Sequence, residues 1–258
     1  MIMKSISANK EKGLQQILRG ESQQLCEGEP QQQNRGESQQ SCEGESQQQN
    51  RGESQQLIAR RGPLKLGITG GIGSGKSVVC RVMQLLGIPV YNSDLESRRL
   101  MVSDEAIRRD LVALLGSEVY QGGALNRPLV ASYLFASPDH AQRINAIVHP
   151  RVKADFRRWV AARAQHQMVA IESAILIEAG FASEVDQVVM VKAPLEVRIR
   201  RAMDRDGADR QQVMQRIARQ MTEDEKRSMS HHQLLNDDKS PLIPQVLRLI
   251  ALLSENID

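Results

Sequence analysis

Gly70, Gly71, Ile72, Gly73, Ser74, Gly75, Lys76 and Ser77 carry the strongest chemical signal in this chain. They fill every fixed position of the pattern G-x-x-x-x-G-K-[ST]. Glycines let a backbone turn through positive φ and aim successive N–H groups inward at phosphate oxygens. A helix opening near Gly75 adds the partial positive charge of its N-terminus. Lys76 is placed to reach the β- and γ-phosphates of a bound nucleotide, and the Ser77 hydroxyl to ligate Mg²⁺. Val78 follows in the first helical turn and completes the candidate nucleotide-binding run. The pattern specifies a nucleoside triphosphate site and, alone, no reaction.

Other residues could supply the reaction. Asp94 directly follows a short apolar run, which puts it on the edge where ligands of parallel sheets bind. A carboxylate there suits proton removal from an acceptor hydroxyl or help in holding the metal. Ser93-Asp94 equally suits the N-cap of the helical stretch Leu95–Met101. Glu172 ends a further apolar run, at the place of a second carboxylate around Mg²⁺ or as a solvated strand end; Glu178 is a weaker candidate. Arg198, Arg200, Arg201 and Arg205 crowd one segment before the turn Asp206-Gly207, with Arg216 and Arg219 beyond. These arginines read either as a basic, solvated helix pair or as a mobile lid bringing guanidinium forks onto the transferring phosphoryl group. His149-Pro150-Arg151 carries little weight alone, and His231-His232 is expected at the surface.

The elements that must position these groups are visible as alternating textures. Leu64–Thr69, Ile88–Tyr91, Met168–Ile171 and Val185–Val191 are short apolar runs suited to buried strands. Ser77–Leu86 and Leu242–Leu253 are helical, and Ile144, Val148, Val152, Phe156 and Trp159 recur along one helical face. Strands alternating with helices imply an α/β fold with a parallel sheet covered on both faces. Residues 64–258 suffice for one well-filled core.

Residues 1–63 differ. They hold no Phe, Trp or Tyr, and two copies of a 16-residue unit start at Gly20 and Gly36, with a truncated third at Gly52. Each full copy offers one Cys and at most one Leu to bury, too little to offset the entropy of ordering the unit. This segment is expected to be a disordered extension, with Cys26 and Cys42 lacking the neighbours a metal site needs. Over the whole chain, 34 Lys+Arg against 31 Asp+Glu is too balanced for a polyanion binder, and 3% aromatic content leaves few stacking platforms for nucleic acid. No apolar stretch approaches the ~20 residues that span a bilayer. The opening residues lack the apolar core of a secretory signal. Three cysteines suit a reducing compartment. A cytoplasmic protein without nucleic-acid or membrane partners is expected.

Taken together, several segments resemble the dephospho-coenzyme A kinases. They are GITGGIGSGKS (67–77), VYNSD with Arg98-Arg99 (90–99), GALNRPLVASYLFASP (123–138), HPRV (149–152), ESAILIEAGF (172–181), VKAP with RRAMDRDG (191–207) and RIARQM (216–221), with Asn236-Asp237 after them. The phosphate loop is generic, but the ordered set over 64–258 is specific. The resemblance implies a three-layer phosphate-loop kinase fold, with a five-stranded parallel sheet, a helical substrate region and a lid. It implies ATP and dephospho-CoA as substrates, with transfer to the ribose 3′-hydroxyl as the last step of coenzyme A synthesis. Asp94 falls on the family's acidic residue near that hydroxyl, and Arg205 on its lid arginine. Arg98, Arg127, His149 and Arg151 match substrate-region motifs.

Four departures stand out: Val78 for a common Thr, Asn92 for Asp, Asn126 for Asp and Ala174 for Pro. Ser77 still supplies a metal hydroxyl, and Asn92 leaves Asp94 as the one carboxylate at its strand end. His231 also departs, at a usual Asp. Two rival readings are another small-molecule kinase, such as a nucleoside monophosphate kinase, and a GTP-dependent switch. The switch should carry N-K-x-D, which 78–258 lacks; its D-x-x-G is matched only by Asp204 to Gly207, inside an arginine-rich stretch.

Overall fold

The computed structural model describes residues 62–255, so the expected disordered extension lies outside the described residues except for Gly62 and Pro63. Pro63 is already buried, immediately before β1 (Leu64–Thr69). Four more strands make one parallel sheet with β1: β2 (Val90–Asn92), β5 (Met168–Glu172), β6 (Gln187–Lys192) and β7 (His232–Leu235). The order across the sheet is β2-β5-β1-β6-β7, with β1 central. This is the five-stranded α/β architecture expected. A two-residue ladder, β3 (Tyr120–Gln121) with β4 (Ala124–Leu125), stands apart from it.

Alternation along the strands divides the core between two faces. Leu64, Leu66, Ile68, Ala170, Val189 and Val191 point to one side, against α1 (Lys76–Leu85) and α9 (Leu242–Glu255). Tyr91, Ile171 and Val188 point to the other. There they meet the helical region of α2 (Ser93–Ser103), α3 (Glu105–Leu115), α4 (Arg127–Ala136) and α5 (Pro138–Ala161). The predicted stripe of α5 is buried at Ile144, Val148, Val152 and Phe156. Its Trp159 packs edge-on to Tyr91, ring centroids 5.5 Å apart. Two further helices, α6 (Leu195–Asp206) and α7 (Arg210–Ala218), form an arm with a small core of its own, Ile199, Ala202 and Val213. A short helix, α8 (Glu223–Ser228), returns the chain to β7.

Register places the candidate acids. Ile68 of β1 and Asn92 of β2 both stand opposite Glu172 of β5, so these three residues form one row at the carboxyl edge. The strands run on beyond the sequence estimates there: β2 through Asn92, β5 through Glu172 and β6 through Lys192. His231 is exposed as expected, yet its Nδ1 accepts the Val188 N–H at 3.0 Å and ties β7 into the sheet.

Candidate active site

The phosphate loop runs from the end of β1 into α1. Gly70, Gly73 and Gly75 all have positive φ, and Gly75 is the left-handed N-cap of α1. At Gly73 the requirement for glycine is twofold, because a Cβ would lie 2.1 Å from the Arg198 carbonyl oxygen. Inside the loop the Lys76 ammonium donates to the carbonyls of Gly70 (2.9 Å) and Gly71 (3.2 Å). Burial lowers its pKa to about 8; the charge of Glu172 opposes the shift, that of Lys226 adds to it, and Asp94 opposes it weakly. Val78, by contrast, turns a 53% exposed side chain outward and donates its N–H to Gly75 O at 3.0 Å.

The Ser77 end of the loop meets the sheet edge. Ser77 Oγ donates to Glu172 Oε1 at 2.7 Å, and Asn92 Nδ2 donates to Oε2 at 3.1 Å. Glu172 is thus no stray strand end. A hydroxyl and a carboxylate in contact are hard oxygen donors, which fits Mg²⁺, an ion that keeps most of its shell as water and phosphate oxygen. Beneath them Cys80 is buried, and burial together with Glu172 pushes its thiol pKa up, so it stays protonated.

Asp94 opens the helical region. Its alternative role as N-cap of α2 is overturned: the cap is Asn92, whose Oδ1 accepts the Leu95 N–H at 2.9 Å. Both residues rank alike as caps, so composition could not separate them. Asp94 lies in the first turn, exposed, where an acid is favoured by the helix dipole. Its carboxylate has no hydrogen-bond partner among the described residues, and it stands close enough to Lys76 to act on that ammonium.

The predicted acceptor-side residues lie on the helices beyond. Arg98 is on α2, Arg127 opens α4 after its Asn126 cap, and His149 and Arg151 are on α5. The three arginines are exposed. The His149 ring meets Phe181 edge-on at 6.1 Å, and burial, with Lys153 adding, holds its pKa below the usual value. No hydrogen bond joins any of these four to Asp94 among the described residues. A second hub anchors α2 to α5: Asp155 accepts from Tyr91 Oη (2.9 Å), Arg99 (2.8 Å) and Arg158 (3.1 Å).

The arginine cluster divides into different roles. Arg198, only 4% exposed, pairs with Glu223 and donates its Nε–H to Ile72 O at 3.0 Å. Arg201 donates to Asn236 O at 3.1 Å and pairs with Asp238, while Asn236 Nδ2 donates to Ser74 O at 2.9 Å. Both arginines therefore donate to carbonyls of the phosphate loop, Arg198 at Ile72 and Arg201 at Gly73 and Ser74. Arg205 lies at the far end of α6, in a forked pair with Asp206 (2.8 and 3.1 Å) that Arg216 shares at 2.9 Å. Arg200 pairs with Asp238 at 2.5 Å. Two residues escaped the sequence reading. Lys226, 1% exposed, donates to Ala174 O and contacts Glu178, both at 2.9 Å, but sits in the charged run EDEKRS that reads as solvated. Gln220, inside RIARQM, accepts the Ile72 N–H at 3.0 Å, and nothing in its type signals that.

Among known proteins, a family model described as dephospho-CoA kinase matches residues 64–241. A dephospho-CoA kinase of Bacteroides fragilis is 52% identical over 194 residues, covering 75% of this chain and 95% of that protein. One from Porphyromonas gingivalis is 43% identical over 188 residues, covering 72% and 93%. The crystal structure of TT1252 from Thermus thermophilus superimposes with a TM-score of 0.64 at 34% identity, covering 75% of this chain and 98% of that one.

Proposed function

The chain belongs to the dephospho-CoA kinase family, and we propose that within its reaction Asp94 receives or orients the acceptor hydroxyl while the 70–78 loop presents the γ-phosphate. The reaction itself is phosphoryl transfer from ATP to the ribose 3′-hydroxyl of dephospho-CoA, giving CoA and ADP at the end of coenzyme A biosynthesis. One observation carries the assignment of parts. Glu172 touches both Ser77 of the loop and Asn92, the cap of the helix whose first turn bears Asp94. Donor and acceptor machinery thus share one carboxylate.

The loop's work is positioning and charge stabilisation. The N–H groups of Gly73, Gly75, Lys76 and Ser77 have no protein acceptor among the described residues and are available to phosphate oxygens. Lys76 would exchange its two carbonyl partners for the β- and γ-phosphates. Ser77 and Glu172 would hold Mg²⁺, which when bound spreads the charge on those phosphates. Asp94 would accept the proton of the 3′-hydroxyl, or hold that hydroxyl in line. Arg205, released from Asp206, would bring its guanidinium to the transferring group, with Arg98, Arg127, His149 and Arg151 binding dephospho-CoA. ATP as co-substrate and the unpaired Cys80 thiol support the cytoplasmic location expected from the sequence.

Asp94→Asn tests the central assignment. It keeps the shape and removes both negative charge and proton acceptance, so turnover should fall ~10²–10⁴-fold. Melting temperature and ATP affinity should hold, because Asn92 caps the helix. Near-normal turnover in the folded variant would reject the role.

A further inference from the structure

Ile72 occupies a variable position of the phosphate-loop pattern, yet the fold grips it from three directions. Its side chain packs on the arm's own core of Ile199, Ala202 and Val213. Its N–H donates to Gln220 Oε1 at 3.0 Å, just past the end of α7. Its carbonyl accepts from Arg198 Nε at 3.0 Å, on the first turn of α6. Arg198 is in turn paired with Glu223, three residues beyond Gln220. Both backbone polar groups and the side chain of one loop residue are therefore held by the arm and its return segment.

That segment is itself pinned to the stretch that follows β5. The Met221 N–H donates to Glu178 Oε1 at 3.2 Å, and Lys226 contacts the same oxygen at 2.9 Å while bonding Ala174 O. Residues 220–226 form a strap from the tip of the phosphate loop to the exit of β5. On the next stretch of loop, Asn236 holds Ser74 O. Carbonyls tied outward at Ile72 and Ser74 turn the N–H groups of the same peptide planes, those of Gly73 and Gly75, the opposite way, toward the phosphate side.

We propose that Gln220 and Arg198 are positioning residues: they hold the Ile72 backbone so that the phosphate loop stays in its phosphate-accepting shape before ATP arrives. Neither touches a reacting atom. Their effect falls on the fraction of molecules whose loop is competent, which scales apparent ATP affinity and leaves the saturated rate alone. The proposal concerns the shape of the loop and does not depend on the role of Asp94.

The test uses the full chain with two substitutions of similar size. Gln220→Met removes the acceptor, and Gln220→Glu restores one. An unpaired N–H costs enough to disfavour the competent loop several-fold or more. Gln220→Met should raise the ATP Kd and KM about tenfold, leave kcat at saturating ATP within about twofold, and leave dephospho-CoA affinity unchanged. Gln220→Glu should return the ATP Kd to within about threefold of the parent. Titration calorimetry gives both affinities, and thermal melting confirms folding. Unchanged ATP affinity in Gln220→Met overturns the proposal. So does equal loss in both variants, which would make the accepting atom irrelevant, or a parallel loss of dephospho-CoA affinity, which would mark general damage.

Discussion

Lys76 should make ATP binding depend on pH in a way that can be worked out in advance. In the free protein its pKa is lowered to about 8, with burial the largest cause. Bound polyphosphate replaces two neutral carbonyl partners with several negative charges, which favours the ammonium and lifts the pKa back toward its ordinary value. ATP binding must then take up a proton wherever the free lysine has lost one. The uptake is about 0.1 proton at pH 7, about 0.5 at pH 8 and about 0.9 at pH 9. The sign follows: raising the pH weakens binding, because the deprotonated lysine must first be charged. From pH 7 to pH 9 the protonated fraction falls about tenfold, so Kd should rise about tenfold, or ~1.4 kcal/mol. Calorimetric titrations in two buffers of different ionisation heat measure the proton count directly, and staying above pH 7 avoids the terminal phosphate, which titrates near ~6. Lys76→Met should bind ATP weakly and take up no proton. A Kd that is flat from pH 7 to 9, or equal uptake in Lys76→Met, would refute the reasoning.

Two other outcomes test the metal end and the arm. Glu172→Gln removes a carboxylate that contacts Ser77 and opposes the fall in the Lys76 pKa. It should raise the Mg²⁺ concentration for half-maximal turnover by roughly 10–100-fold, and move the pH dependence of ATP binding to lower pH. An unchanged Mg²⁺ requirement would remove Glu172 from the metal site. Arg205→Lys should lower turnover more than it weakens dephospho-CoA affinity, since a point charge cannot reproduce a planar fork. Stability should barely move, because the exposed pair with Asp206 contributes ~0–1 kcal/mol; unchanged turnover would leave Arg205 a surface ion-pair residue.

Legibility in the sequence followed how locally each feature is determined. The loop was readable because phosphate geometry dictates Gly70, Gly75, Lys76 and Ser77 at fixed intervals. The central strands were readable because a sheet buried on both faces needs continuous apolar runs. The edge position of Asp94 and Glu172 followed from those runs ending. What the sequence reading missed was Asn92 as the cap of α2 in place of Ser93-Asp94, since Asn and Asp have similar capping propensity and only the helix start decides between them. The crowding of arginines over 198–205 was plain in the sequence, but not that Arg201 meets Asn236 and Asp238 while Arg205 meets Asp206. Helical periodicity says which residues share a face; only the tertiary fold says what lies opposite.

Register then connects stability to chemistry. Glu172 stands opposite both Ile68 and Asn92, so its carboxylate reaches Ser77 and the α2 cap only if three strands keep one alignment. A slip of a single residue would turn Glu172 to the other face of the sheet. Leu66, Ile68, Ala170 and Ile171 are fully buried and divide between the two cores, so the slip would also present each core with the wrong side chains. The penalty that fixes the strands is the same one that fixes the acid. A cavity-forming change such as Ile68→Val would be felt first as lost stability, whereas Asn92, which both caps α2 and donates to Glu172, links β5 to α2 with little core at stake. The proposed catalytic geometry rests on a packed sheet edge, with the Asn92 amide joining Glu172 of β5 to the start of α2.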